Sequence, residues 1–132
     1  MNILLLVGRI MFGAYFAMMG MMHFAKMGTM VRFSESKKIP MPKVSVIITG
    51  LLLLLGGLGI ITGSFVSIAL LMLVMFLIPV SFLIHQFWKA ETPQDRMVEM
   101  QSFLKNMALL GGILILYTLY TANWAYALNT TI

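Results

Sequence analysis

The chain has 132 residues, 61% of them hydrophobic and 10% charged, which leaves too few charged groups to cover a water-soluble globule. There is no cysteine, so thiol–disulfide exchange, thiolate metal sites and iron–sulfur ligation by this chain are excluded. The net charge of +5 does not point to nucleic acid, because the basic residues lie in loops flanking apolar runs, where anionic lipid is the nearer partner. Composition therefore describes one integral membrane domain, residues 1–132, in which any redox role requires a bound cofactor or a partner.

The first apolar run covers residues 3–24. Only Met1 and Asn2 precede it and there is no basic n-region, so it reads as a retained span rather than a cleavable signal peptide. Its one charge is Arg9, about 9 Å into the helix by the helical rise. At roughly 100° per residue, Arg9, Gly13, Phe16, Gly20 and His23 fall within about 40° of one line, the expected buried face. Gly13, Ala17 and Gly20 are small enough to let a second helix approach closely.

From Ala25 to Lys43 the chain turns polar, with Lys26, Arg32, Lys37, Lys38 and Lys43 against Glu35. This is expected as a basic loop on the solvent side, where Met27, Met30 and Val31 are spaced for a short amphipathic turn on the membrane surface. Pro40 and Pro42 hold off helix until the second span, residues 44–61. The glycines of that span, Gly50, Gly56, Gly57 and Gly59, suit close helix contact in lipid, and Thr62, Gly63 and Ser64 make a tight return.

The third span, residues 65–88, carries no ionised side chain until His85, Gln86 and Trp88 arrive together at its end. Pro79 lies inside it, removes the donor for the carbonyl of Met75 and predicts a kink packed against protein. Trp88 and Lys89 mark the headgroup region. Thr92, Pro93 and Asp95 then form a helix start, and residues 103–122 make the fourth span, with Ala108 and Gly112 as a small pair and Tyr117, Tyr120 and Trp124 at the far interface.

Four spans with short returns predict an all-α membrane four-helix bundle. The loops after spans one and three share a side and hold eight of the nine basic residues, so the positive-inside rule places them in the cytoplasm and both termini outside, an N-out, C-out arrangement in the cell membrane. Asn129, Thr130 and Thr131 match a glycosylation sequon on the outer side, a pattern common by chance.

This threading brings His23 and His85 to one boundary, level with Lys105 and Asn106. His23, His85 and Asn106 are expected to converge in a polar pocket under Trp88, at the depth of a quinone headgroup, with imidazole as hydrogen-bond partner or proton acceptor. The bland alternative is that each histidine merely anchors a helix end. Arg9 has no acid in any span, and its candidate partners are Tyr117, Tyr120, Thr62, Ser64, a lipid phosphate or an anionic ligand. Met19, His23, Met27 and Met30 share a helical face that suits copper(I), but methionine is more often an apolar filler. Neither spacing nor flanking sequence is specific for a haem between His23 and His85. No catalytic serine arrangement, phosphate loop, carboxylate pair, zinc spacing or acid–base dyad is legible.

Gly8, Arg9 and Gly13 followed by Gly20, His23 and Phe24, the link SESKKIPMPK, the run LLLLLGGLGIITG, HQFW at 85–88 and LKNMALLGG at 104–112 together resemble the DoxX family over nearly the whole chain. The resemblance implies four membrane helices and marks Arg9, His23, His85, Trp88, Lys105 and Asn106. The family is associated with quinol oxidase and thiosulfate:quinone oxidoreductase subunits. Many relatives carry an acid in the second span; here there is none, which weakens any proton or cation site there.

The expected function is a small membrane subunit or accessory protein of a quinone-linked respiratory or oxidative-stress complex. Two alternatives stand beside it: a structural subunit packing its glycine-lined faces against partner membrane proteins, and an oligomeric carrier of small molecules or lipid. Membrane lipid is the expected partner in each case, together with partner membrane proteins or further copies of the chain.

Overall fold

A computed structural model describes residues 2–120, 124 and 126–128. It is helical throughout, in the order α1 (Asn2–Ala25), α2 (Met27–Ser36), α3 (Pro42–Thr62), α4 (Val66–Leu83), a single 3-10 turn (Phe87–Lys89) and α5 (Pro93–Tyr120). Helices α1, α3, α4 and α5 are long and apolar enough to cross a membrane and run alternately up and down, so the protein is a four-helix membrane bundle. Residues 121 and 122 of the expected fourth span and the Asn129 sequon lie outside the described residues.

Small residues decide how the first two spans meet. A Cβ placed on Gly57 would come within 2.5 Å of both the Ala17 nitrogen and the Gly13 carbonyl, and one on Gly20 would strike the Leu54 nitrogen and the Gly50 carbonyl. The obstacles are main chain, so α1 and α3 approach backbone to backbone, as the Gly13, Ala17, Gly20 face predicts. Around this seam Phe16, Leu53, Ile60, Leu73, Leu77 and Ile113 form a fully buried core.

The α3–α4 return closes through Gly63 at φ 68°, whose N–H reaches the Gly59 carbonyl. That positive φ suits glycine because no Cβ opposes it. The link read as a polar loop is instead a helix, α2, that runs to Ser36 and packs on α3. Its hydrophobic residues have a docking partner, which the linear pattern of Met27, Met30 and Val31 did not show. Pro42 sits at the first position of α3, where a missing N–H costs nothing. At the start of α5, Thr92 Oγ accepts the Asp95 N–H at 3.1 Å, the expected N-cap.

Helix α4 is shorter than the expected span 65–88. It ends at Leu83, and the chain turns through His85 and Gln86 into the 3-10 turn. A reason lies in the side chains beyond it: Trp88, Phe87 and Phe103 pack edge to face, with ring centroids 5.2–5.9 Å apart, and pull the turn onto α5.

Candidate ligand site at the charged end of the bundle

Two adjoining cavities lie where α1, α2, α3 and α4 approach the polar links. The inner one, about 140 Å³, is lined by residues of α1, α3, α4 and α5 that include His23, His85, Lys105 and Asn106. The outer one, about 280 Å³, opens between α2, α3 and α4 and is lined mainly by apolar side chains such as Met30, Phe33, Met75 and Leu83. His23, Phe76, Val80 and His85 line both, so the two imidazoles stand in the partition between them.

The inner cavity exists because α1 and α5 do not close on each other. Among the described residues no Cα of α1 comes within 8 Å of one in α5. The gap is bridged by side chains: a Phe12 ring lies over Gly112, and the Lys105 ammonium stands 6.0 Å from the Tyr15 ring centroid. Such an ammonium over an aromatic face keeps its charge near the cavity mouth.

Both imidazoles and the Asn106 amide at the inner cavity are held by hydrogen bonds. His23 Nδ1–H donates to the Met19 carbonyl at 2.8 Å, one helical turn back. Asn106 is buried and donates through Nδ2 to Ser81 Oγ at 3.0 Å, while Ser81 donates its own proton to the Leu77 carbonyl at 2.6 Å. His85 Nδ1 meets Glu99 Oε2 at 2.8 Å, and the other carboxylate oxygen of Glu99 accepts from Lys37 Nζ at 2.9 Å. Lys37 caps α2, His85 follows α4 and Glu99 belongs to the leading turns of α5, ahead of its apolar segment, so one carboxylate ties three elements together. Burial by itself raises the Glu99 carboxyl. The hydrogen bonds from Lys37 and His85, together with the Lys37 charge, outweigh that effect and hold it below the usual carboxylate value.

Four of the residues singled out from sequence, His23, His85, Lys105 and Asn106, thus line one cavity. Trp88 does not. The residue is 47% exposed, lines neither cavity and belongs to the aromatic cluster with Phe82, Phe87 and Phe103, because α4 ends early and turns the indole outward. Arg9 lies at the opposite end of α1, about 21 Å from His23 by helical rise. It is fully buried and donates through Nε to the Ile60 carbonyl at 3.2 Å and through Nη2 to the Ile61 carbonyl at 2.9 Å, with Trp124 stacked 5.0 Å from the guanidinium. These main-chain acceptors in the last turn of α3, where unpaired carbonyls gather, were not among its expected partners.

The imidazole–carboxylate pair is also a correction. No acid–base dyad was legible because Glu99 and His85 are 14 positions apart on different elements, and Glu99 reads as one more solvated charge before a membrane span. The signal that was present is that every acidic residue lies at the same end of the bundle as both histidines. Met19 lines the inner cavity and Met30 the outer one, whereas Met27 lines neither. Among the described residues no cluster of three or more His, Asp or Glu side chains is placed to hold a metal ion.

The architecture defines a small multi-pass helical membrane protein whose polar side chains gather around cavities at one end of the bundle. The chain belongs to the DoxX family, whose model matches residues 4–86, from α1 through His85 and Gln86. No curated protein and no solved structure matches it.

Proposed function

We propose that the protein is a single-domain membrane subunit or accessory protein of a quinone-linked redox complex of the cell membrane, and that the paired cavities hold the ligand. The carrying observation is that two hydrogen-bonded imidazoles, one backed by a carboxylate, line a pair of cavities in a bundle whose spans are otherwise almost free of polar groups. Imidazole exchanges protons near neutral pH, and a quinone couples proton to electron transfer, so a histidine beside the ring oxygen suits that chemistry. The shape also fits: a small polar-rimmed chamber suits a headgroup, and an apolar chamber suits a tail. In this reading the charged end, which carries eight of the nine basic residues, faces the cytoplasm.

Arg9, although marked by the family pattern, serves in this reading as the anchor of the far end rather than as a ligand group. Lys105 and Asn106 orient the bound ring from α5. The test is equilibrium binding of a decyl-tailed benzoquinone and its quinol to purified protein in detergent. Saturable binding that His85→Ala weakens by about tenfold or more, with the fold retained, supports the site; no binding of either form to the native chain sinks it.

A structural role is favoured by one separate observation. Helix α5 buries only Asn106 and Ile113 among its described residues and leaves Leu114, Ile115 and Leu119 exposed. Co-purification with a larger membrane complex in the absence of any bound quinone would favour that reading.

A further inference from the structure

We infer that the paired cavities prefer the reduced, dihydroxy form of a quinone to the oxidised form, with the ring against His23 and His85 and the tail in the outer cavity. This deepens the quinone reading above and rests on it. The inference comes from which proton each hydrogen bond consumes.

Lys37 holds one oxygen of Glu99, and an ionised carboxylate can only accept. The Nδ1 atom of His85 is therefore the donor in its bond to Glu99 Oε2. A neutral imidazole has one N–H, so Nε2 is left as a bare acceptor. His23 repeats the pattern by a different route. The Met19 carbonyl also accepts only, which puts the ring proton on Nδ1 and the lone pair on Nε2. Neither Nε2 has a hydrogen-bond partner among the described residues.

Asn106 adds a third acceptor. The Ser81 hydroxyl proton is spent on the Leu77 carbonyl, so Ser81 can only receive from the amide, and Asn106 Oδ1 is left uncommitted. The ionised donor lining the same cavity is Lys105. A site with these atoms suits a ligand hydroxyl, which gives its proton to imidazole and accepts from the lysine. The oxygen of the oxidised ring has no proton to give, and against either Nε2 it would set lone pair against lone pair. The apolar outer cavity, between Met30, Phe33, Ile39, Met75 and Leu83, offers the tail a path on the far side of the same two imidazoles.

The test is anaerobic equilibrium dialysis of the purified protein in detergent with a decyl-tailed benzoquinol and, separately, its quinone, at about pH 8. The quinol is expected to bind about tenfold tighter, the effect of two hydrogen bonds made by one form and not the other. Glu99→Gln gives Nδ1 a partner that donates as well as accepts, which frees His85 to carry its proton on Nε2. The preference should then fall toward parity, and Glu99→Asp should keep it. If Glu99→Gln does not fold, His85→Phe supplies the same readout, since it keeps a ring without an acceptor. Quinone binding as tight as quinol, or tighter, overturns this inference and leaves the proposed site standing. An unchanged ratio in Glu99→Gln or His85→Phe also overturns it, whatever happens to the absolute affinities. Binding of neither form overturns both readings.

Discussion

Glu99 accepts a hydrogen bond from His85 at 2.8 Å across 14 residues of sequence, and this contact sets the posture of an imidazole at the cavity wall and joins α5 to the end of α4. The same carboxylate takes Lys37 from α2, so a single side chain connects the surface helix, the end of α4 and the last span.

Acidification should expose that role. Burial alone would raise the Glu99 carboxyl, but its bonds to Lys37 and His85 leave it with a lower folded-state value than in the unfolded chain. Its stabilising contribution is therefore complete above the ordinary unfolded-state carboxylate value and is lost as pH falls through the lower folded-state value. Thermal unfolding in detergent followed by circular dichroism should show a loss of stability on acidification below that value. Glu99→Gln should flatten this acid limb; an identical limb in the variant would place the titration elsewhere.

A glycine of the α1–α3 seam and a glycine of α5 predict opposite signs for the same substitution. Gly57→Ala puts a methyl against the main chain of Ala17 and Gly13, which cannot yield as a side chain would, and should cost about 2–3 kcal/mol. Gly111→Ala meets nothing within 4 Å and should be neutral or stabilising by up to about 1 kcal/mol. Parallel melting curves decide it, and equal effects would mean that the seam is not backbone to backbone.

Arg9 should resist conservative replacement. Its fork serves two successive carbonyls at the end of α3 while its face stacks on Trp124, and a lysine supplies one point charge with no planar face. Arg9→Lys is expected to destabilise by about 1–2 kcal/mol, and Arg9→Ala, which leaves buried carbonyls without a donor, by about 3 kcal/mol. Quinone binding at the other end should persist in any Arg9 variant that folds; its selective loss would tie Arg9 to the ligand.

Ser81 is a small residue with a directing role. Ser81→Ala removes the acceptor that orients the buried Asn106 amide and should cost about 1–2 kcal/mol of stability. It should also weaken ligand binding more than a substitution on the exposed face of α4 such as Leu71→Ala. Melting curves and dialysis on the two variants make the comparison.

Much of this protein was legible before any coordinates. Gly13, Ala17 and Gly20 named the face on which α1 meets α3, because helical period alone lines them up. His23 and His85 could be assigned to one end, because an even number of crossings separates them. The end of α4 was misread because HQFW resembles the close of a span. Whether such a segment stays helical depends on what its aromatic rings find to pack on, and here Phe103 draws Phe87 and Trp88 away from the helix line.

By itself the sequence determined the number of spans, their up-and-down order and the end at which charge collects. Hydrocarbon thickness and the cost of unpaired backbone in lipid act on composition and length, which are local. Only the tertiary structure decided that Arg9 rests on the carbonyls of Ile60 and Ile61, that Glu99 rather than a solvated surface holds His85 and Lys37, and that Trp88 stays outside the cavities. Hydrogen bonds act over about 3 Å, so they depend on the rotation and register of whole helices against each other, which the periodicity of any one helix leaves open.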